Sequence, residues 1–225
     1  MIIVHHLENS RSQRILWLLE ELNLSYEIKS YKRDPKTMLA PPELKEVHPL
    51  GKSPVITDNG KVIAESAVII DYLVNNYGNG KLKPQNEDDL LRYTYWLHYA
   101  EGSAMTPLLM KLVFDKVESS PMPFFVKPIA KKISQAVKSS WINQQIKLHL
   151  DYMENEISKT GWFAGNEFSA ADIMMSYPIE AASARGGVGR KNLEAFHQKI
   201  ITRPAYQRAI ERGGPFSVIP VSSER

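Results

Sequence analysis

Residues 2–31, IIVHHLENSRSQRILWLLEELNLSYEIKSY, decide how the chain begins to fold. Residues 2–7 are a short apolar run closed by the polar turn Glu8-Asn9-Ser10, the pattern of a buried strand. The period then changes: Ile15, Leu18, Leu19 and Leu22 recur at the spacing of one helix face, which predicts a helix over 12–22 with Asn23 as its stop. Residues 26–31 alternate apolar and polar side chains, as a half-buried strand does. Strand, helix and strand in this order place the two strands parallel in one sheet.

Outward from this unit, a short helix is expected near 42–47. Strands at 54–57 and 62–64 follow, joined by the hairpin signal Asp58-Asn59-Gly60. Ser66 is expected to cap a helix to about 76, whose buried side carries Ile69, Ile70, Leu73 and Tyr77. The linker GNGKLKP, 78–84, resists helix and strand alike. Beyond it only helices are predicted. One runs from an acidic first turn, Glu87-Asp88-Asp89, to about 117. A second carries Ile129, Ile133, Val137, Trp141, Ile146, Leu150, Met153 and Ile157, and Gly161 ends it. A third begins at Phe168-Ser169-Ala170-Ala171-Asp172-Ile173, where Ser169 can cap, Asp172 can bond back to the cap amide and Phe168 can pack on Ile173. Residues 213–225 read as an irregular tail. The fold class is therefore α/β plus all-α: an N-terminal βαβαββα domain over 1–78, a linker over 79–86 and an all-helical domain over 87–225.

Composition narrows the function. With 28 Lys and Arg against 25 Asp and Glu, the chain has no field strong enough to make nucleic acid or a membrane surface the default partner. It contains no cysteine, which excludes disulfides, thiolate metal sites and any protein-thiol mechanism; sulfur chemistry here must use a ligand's sulfur. No stretch approaches the ~18 apolar residues of a membrane span, and MIIVHHLENSRSQR lacks a signal peptide's apolar region, so a cytoplasmic location is expected. His5 and His6 face opposite sides of a strand and His98 and His149 show no ligand-like pairing, so no metal site is predicted.

Three junctions could carry chemistry. In the loop after the first strand, a Ser10 hydroxyl beside a thiol can favour the thiolate, although Ser10 or Ser12 can equally serve as a helix cap. In HPLGKSPVI, 48–56, a cis Ser53-Pro54 bond would turn the Ser53 backbone toward an extended, peptide-like ligand. At the third, Glu65 could pair with an amino group while Ser66 and the following helix amides bind a carboxylate.

HHLENSRSQRILWLLEEL (5–22), HPLGKSPVI (48–56), DNGKVIAESAVIIDYL (58–73) and WFAGNEFSAADIMMSYPI (162–179) occur in the order and at the separations of the cytosolic glutathione transferases. The chain resembles that family over nearly its whole length, most closely its serine-type fungal and bacterial members. The resemblance implies a thioredoxin-like N-terminal domain. It also implies that Ser10 is the activating serine, with Ser12 and Arg11 as neighbours that leave that role open, and that Pro54 is a cis-proline with Ser53 bonding the cysteinyl part of glutathione. Lys52 would meet the glycine carboxylate, Glu65 and Ser66 the γ-glutamyl end, and Ser169 and Asp172 would be structural. The thiolate would attack an electrophilic carbon or a peroxide, with glutathione as cosubstrate and no metal or other cofactor. Tyr95, Tyr99, Met105 and Leu109 are candidates for the second-substrate pocket, although aromatics at helical spacing are more often core. A homodimer pairing 63–77 with 90–101 of the other subunit is expected from the same resemblance. The rival reading is a transferase-like module that binds glutathione or a protein with little turnover.

Overall fold

In the computed structural model, which describes residues 1–184 and 189–216, β1 (Ile2–Leu7) and β2 (Tyr26–Tyr31) flank α1 (Ser12–Glu21). The two strands are parallel, with Ile2 opposite Tyr26 and Leu7 opposite Tyr31. The short helix α2 (Glu43–Val47) leads to β3 (Val55–Asp58) and β4 (Lys61–Ala64). Asn59 at φ 48° and Gly60 at φ 84° supply the two positive φ angles that a tight hairpin turn of this kind demands. β3 runs antiparallel to both β1 and β4, giving the sheet order β2-β1-β3-β4. α3 (Ser66–Tyr77) completes the thioredoxin-like arrangement.

The chain then turns wholly helical. Residues 78–86 are tied down at Leu82, whose carbonyl accepts from the Ala170 amide at 2.9 Å. Asn86 caps α4 (Glu87–Tyr99) by accepting from the Asp89 amide at 2.9 Å, and the acidic first turn adds its favourable charge. α4 and α5 (Met105–Ser119) are joined by a π-helical turn, Ala100–Ala104. The single helix expected over 87–117 is thus continuous but wound one step wider at its middle. The second long helix has the same device: α6 (Lys127–Val137), a π turn at Lys138–Ile142, and α7 (Asn143–Thr160), ended by Gly161 at φ 78°. α8 (Ala170–Ala184), α9 (Lys191–Ile201) and α10 (Pro204–Gly213) follow.

Two local expectations change. Ser66 is not the cap of α3: Glu65 occupies that position with no side-chain cap bond, and the Ser66 hydroxyl is engaged by Arg14 instead. Gly213 ends α10 rather than opening an irregular tail; 214–216 have no regular structure, and the rest of the expected tail, 217–225, lies outside the described residues.

One hydrophobic core runs through both units, with Trp17, Ile69 and Ile70 from the first and Trp96, Met153, Phe163 and Ile173 from the second. α1 is buried over Ser12 to Leu19, polar Gln13 and Arg14 included. Enclosure leaves the Gln13 side-chain amide without a hydrogen-bond partner among the described residues, whereas both Nη atoms of Arg14 find partners, and those partners shape the site.

Candidate active site

The groove is built from the three junctions and one turn of the helical unit. The loop after β1 reverses the chain with Asn9 at φ 49°. Ser10, only 5% exposed, accepts from the Ser12 amide at 3.2 Å, so it does help close the first turn of α1. Its Oγ also lies 2.8 Å from Ser12 Oγ and 3.3 Å from Ser53 Oγ. Ser12 is fully buried behind it, with Oγ 2.9 Å from His6 Nδ1. Of the two serines, Ser10 is the one that reaches the groove-lining Ser53.

Gly51, at φ 55°, starts the approach to β3, and the Ser53-Pro54 peptide is cis. Ser53 donates its hydroxyl to the His5 carbonyl at 3.1 Å, which ties this turn to β1. Pro54 is buried and Lys52 is exposed beside it. At the third junction Glu65 holds φ 72° and ψ 126° at the head of α3. A non-glycine residue in so sparsely populated a conformation costs on the order of 1–3 kcal/mol, and such residues concentrate at functional sites. Ser66 is buried directly after it, its Oγ accepting from Arg14 Nη2 at 3.0 Å.

Glu101 closes the groove from the opposite unit. The π turn carries this carboxylate to Arg11, whose Nε stands 2.9 Å from both of its oxygens, and to Arg14 Nη2 at 2.6 Å. π turns inside helices occur frequently at functional sites. Burial works to raise the Glu101 carboxyl, but Arg14 and Arg11 outweigh it and hold the group below its ordinary range. Burial pulls the enclosed Arg14 guanidinium down from its usual value despite Glu101, whereas for Arg11 the same carboxylate overcomes burial and pushes it up. Both guanidinium groups stay charged at any physiological pH. Each also lies against the Tyr177 ring, at 4.8 Å and 5.0 Å from its centre. Arg14 Nη1 donates to the Met174 carbonyl at 2.7 Å, fastening α1 to α8.

Arg11, Lys52, Ser53, Pro54, Glu65 and Ser66 therefore line one groove together with Glu101 and His48. It offers cations and a helix N-terminus for carboxylates, acids for an ammonium group, and the Ser53 hydroxyl. The sequence-level candidates Lys52, Ser53, Pro54, Glu65 and Ser66 converge here. Ser10 is not itself among the lining residues; it lies buried behind Ser53, 3.3 Å from its hydroxyl. Arg11 drew notice only as a neighbour of Ser10, and the signal for Glu101 was no more than an acid following the aromatic run of α4. Tyr177 had no signal beyond its motif.

The four second-substrate candidates do not line this groove. Tyr95 is largely exposed and stacks on Tyr99 at 5.5 Å, and the Tyr99 hydroxyl is 2.6 Å from His149 Nδ1. Met105 is buried, while Leu109 is exposed on α5. At the start of α8, Asp172 accepts from the Ser169 and Phe163 amides, both at 2.8 Å, and from the Ser169 hydroxyl at 3.0 Å. The Phe168 ring lies tilted to Trp17 and edge-on to Trp162, with centroids 5.8 Å and 5.1 Å away. Among the described residues, no group of three or more His, Cys, Asp or Glu is arranged to hold a metal ion, and no helix is long and apolar enough to cross a membrane.

Residues 10–76 match the family described as glutathione S-transferase, N-terminal domain, and residues 115–209 match glutathione S-transferase, C-terminal domain. The chain is similar to glutathione S-transferase 3 of Schizosaccharomyces pombe, at 39% identity over 94% of this chain and 88% of the relative. It is also similar to glutathione S-transferase 1 of Saccharomyces cerevisiae, at 38% identity over 82% of each. A crystal structure of a glutathione S-transferase from Actinobacillus pleuropneumoniae superimposes with a TM-score of 0.78 at 30% identity, covering 97% of this chain and 94% of that one.

Proposed function

Because this chain belongs to the glutathione S-transferase family, and so transfers glutathione to electrophilic substrates, we propose that the groove between Ser10, Ser53-Pro54 and Glu65-Ser66 is where it holds and activates glutathione. The single observation carrying this reading is the convergence of the three chain junctions on one groove, with the Ser10 and Ser53 hydroxyls 3.3 Å apart. Glutathione lies extended, its cysteinyl part paired with the Ser53 backbone, as a peptide adds to an exposed edge. Its γ-glutamyl end meets Glu65 through the ammonium, and Ser66 with the first amides of α3 through the carboxylate. Lys52 meets the glycine carboxylate. The sulfur then lies at Ser10, near the N-terminus of α1 and the charge of Arg11. Each of these favours the thiolate and lowers the thiol below its free value of about 8.5. The thiolate attacks the electrophile. The transferase reading outranks a binding module with little turnover, because relatives covering most of the chain are named as transferases.

For the second substrate the reading retains Leu109, exposed on α5 with Val113 and Val117 continuing its apolar stripe beyond Glu101. Tyr99 and Met105 are given up in favour of core packing, and Tyr95 in favour of the exposed face of α4. We further propose that the domains divide at the linker over 79–86, that the enzyme acts in the cytoplasm as a homodimer without metal or other cofactor, and that its role is detoxification.

Removing the Ser10 hydroxyl tests the assignment. One charge-assisted hydrogen bond is worth roughly 1.5–3 kcal/mol, so Ser10→Ala should lower the conjugation rate about ten- to a hundredfold. It should also raise the bound thiol's titration midpoint, read by thiolate absorbance. Glu65→Ala and Ser66→Ala should instead weaken retention on immobilised glutathione, since they remove contacts made before chemistry begins. Normal retention by both, with unchanged melting, would remove this groove from consideration.

A further inference from the structure

Behind Ser10 lies a chain of buried groups for which the transfer reaction as described has no use. Ser10 Oγ is 2.8 Å from Ser12 Oγ, and Ser12 Oγ is 2.9 Å from His6 Nδ1. The His6 ring stands against Gly213 at the end of α10. Ser10, Ser12 and His6 are 5%, 0% and 5% exposed. We propose that His6 receives the glutathione thiol proton through Ser10 and Ser12, so that a buried histidine, acting through the two hydroxyls, is the base that generates the thiolate.

The hydrogen bonds leave a path for that proton. Either hydroxyl of the Ser10–Ser12 pair can donate to the other at 2.8 Å, and Ser12 Oγ reaches the Leu7 carbonyl at 3.4 Å as well as His6 Nδ1. With no thiol present Ser10 donates to Ser53 Oγ at 3.3 Å, since the Ser53 hydrogen is committed to the His5 carbonyl. A lone pair on Nδ1 takes the Ser12 hydrogen, whereas a protonated Nδ1 donates to Ser12 and frees that hydroxyl to donate to Ser10. A protonated His6 thus supports from behind a Ser10 that donates to a thiolate.

The step balances within the complex. The S–H bond breaks, and sulfur keeps the electron pair. Ser10 takes that proton while passing its own to Ser12, and Ser12 passes its own to Nδ1. The products are a thiolate that accepts from Ser10 and an imidazolium that donates to Ser12. After sulfur has bonded to the electrophile, the proton returns along the same hydroxyls to water in the emptied groove.

The surroundings suit a base that is empty at rest. Burial lowers His6 from its ordinary value, while the Gly213 carbonyl and Glu8 work to raise it. Glu8, in the loop after β1, is the charged group acting on the ring; α1 and α10 present the Ser12 hydroxyl and the Gly213 carbonyl. A negative sulfur at the mouth of the relay adds a further raising influence, so the two titrations are coupled. This inference rests on the assignment of Ser10 to the glutathione thiol.

Imidazole nitrogen signals of the unaltered protein, recorded by NMR at neutral pH, test it directly. His6 should be neutral in the free enzyme, become imidazolium with saturating glutathione, and stay neutral with S-methylglutathione, which has no thiol proton to give. A neutral His6 beside bound thiolate, or the same charging with the methylated analogue, overturns the relay. In variants, His6→Asn keeps a hydrogen-bonding group near Nδ1 but no base, and Ser12→Ala cuts the chain. Each should raise the bound thiol's midpoint and lower kcat about ten- to a hundredfold at a nearly constant KM for glutathione, and the double variant should be no worse than either. Wild-type titration by both while Ser10→Ala is shifted removes the relay alone. An unshifted Ser10→Ala removes the site assignment with it.

Discussion

Glu180 shows at the scale of one residue what enclosing α1 demands. Its carboxyl, 9% exposed, accepts from the Tyr206 hydroxyl at 3.0 Å. Burial pushes it up to about 7, against smaller lowering contributions from Tyr206 and Arg14. The unfolded chain ionises the same group near 4.3. Below that pH both states hold the proton and nothing is lost. Between it and about 7 the unfolded state gives the proton up first, so stability falls as pH rises, by roughly 3–4 kcal/mol, and then levels. Glu180→Gln keeps an acceptor for Tyr206 and cannot ionise. Its melting temperature should match the parent near pH 4 and exceed it by a growing margin to about pH 7; a constant offset would contradict the assignment. The site residues most legible in the sequence, Ser10, Ser53, Pro54, Glu65 and Ser66, sit where strand meets helix, and their types are informative locally. Arg11, Glu101 and Tyr177 gain meaning only from one another across long separations, which periodicity does not encode.

Among the elements, the start of α8 depends most on one side chain. Asp172 takes the Phe163 and Ser169 amides, both at 2.8 Å. Asp172→Ala strands two buried donors, at roughly 1–3 kcal/mol each. The loss should lower the melting temperature by about 4–24 °C for a chain of this size, measured by circular dichroism. A shift of a degree or two would mean that other partners take over these amides. This cap could be read from Ser169 and Asp172 because capping chemistry is local, and β1, β2 and the Asn59-Gly60 turn were legible for the same reason. The π turns were not, since one residue of extra winding leaves the apolar period nearly intact while redirecting Glu101. The role of Ser66 escaped for the opposite reason: serine before a helix ordinarily caps it, and here Arg14 takes the hydroxyl.

For the whole molecule, the proposed twofold pairing rests on apolar side chains that the single chain leaves uncovered. Val62 and Val68 on the α/β side are 48% and 55% exposed, and Leu91 and Tyr95 on α4 are 72% and 44%. Sedimentation at micromolar concentration should give about twice the 25.6 kDa chain mass. Leu91→Glu should shift the population to monomer without lowering the melting temperature of the isolated chain. A wild-type monomer would end the proposal. α10 raises a different matter, of order in time. Arg203 pairs with Glu21 across 182 positions, Arg208 and Arg212 pair with Glu20, and Tyr206 packs edge-on against Trp17. On a ribosome adding about 5–20 residues per second, α1 emerges roughly 10–40 seconds before the helix that covers it. Through that interval its buried face has only the sheet, α3 and the growing helical unit for shelter, so a helix made well before α10 is finished only when α10 arrives.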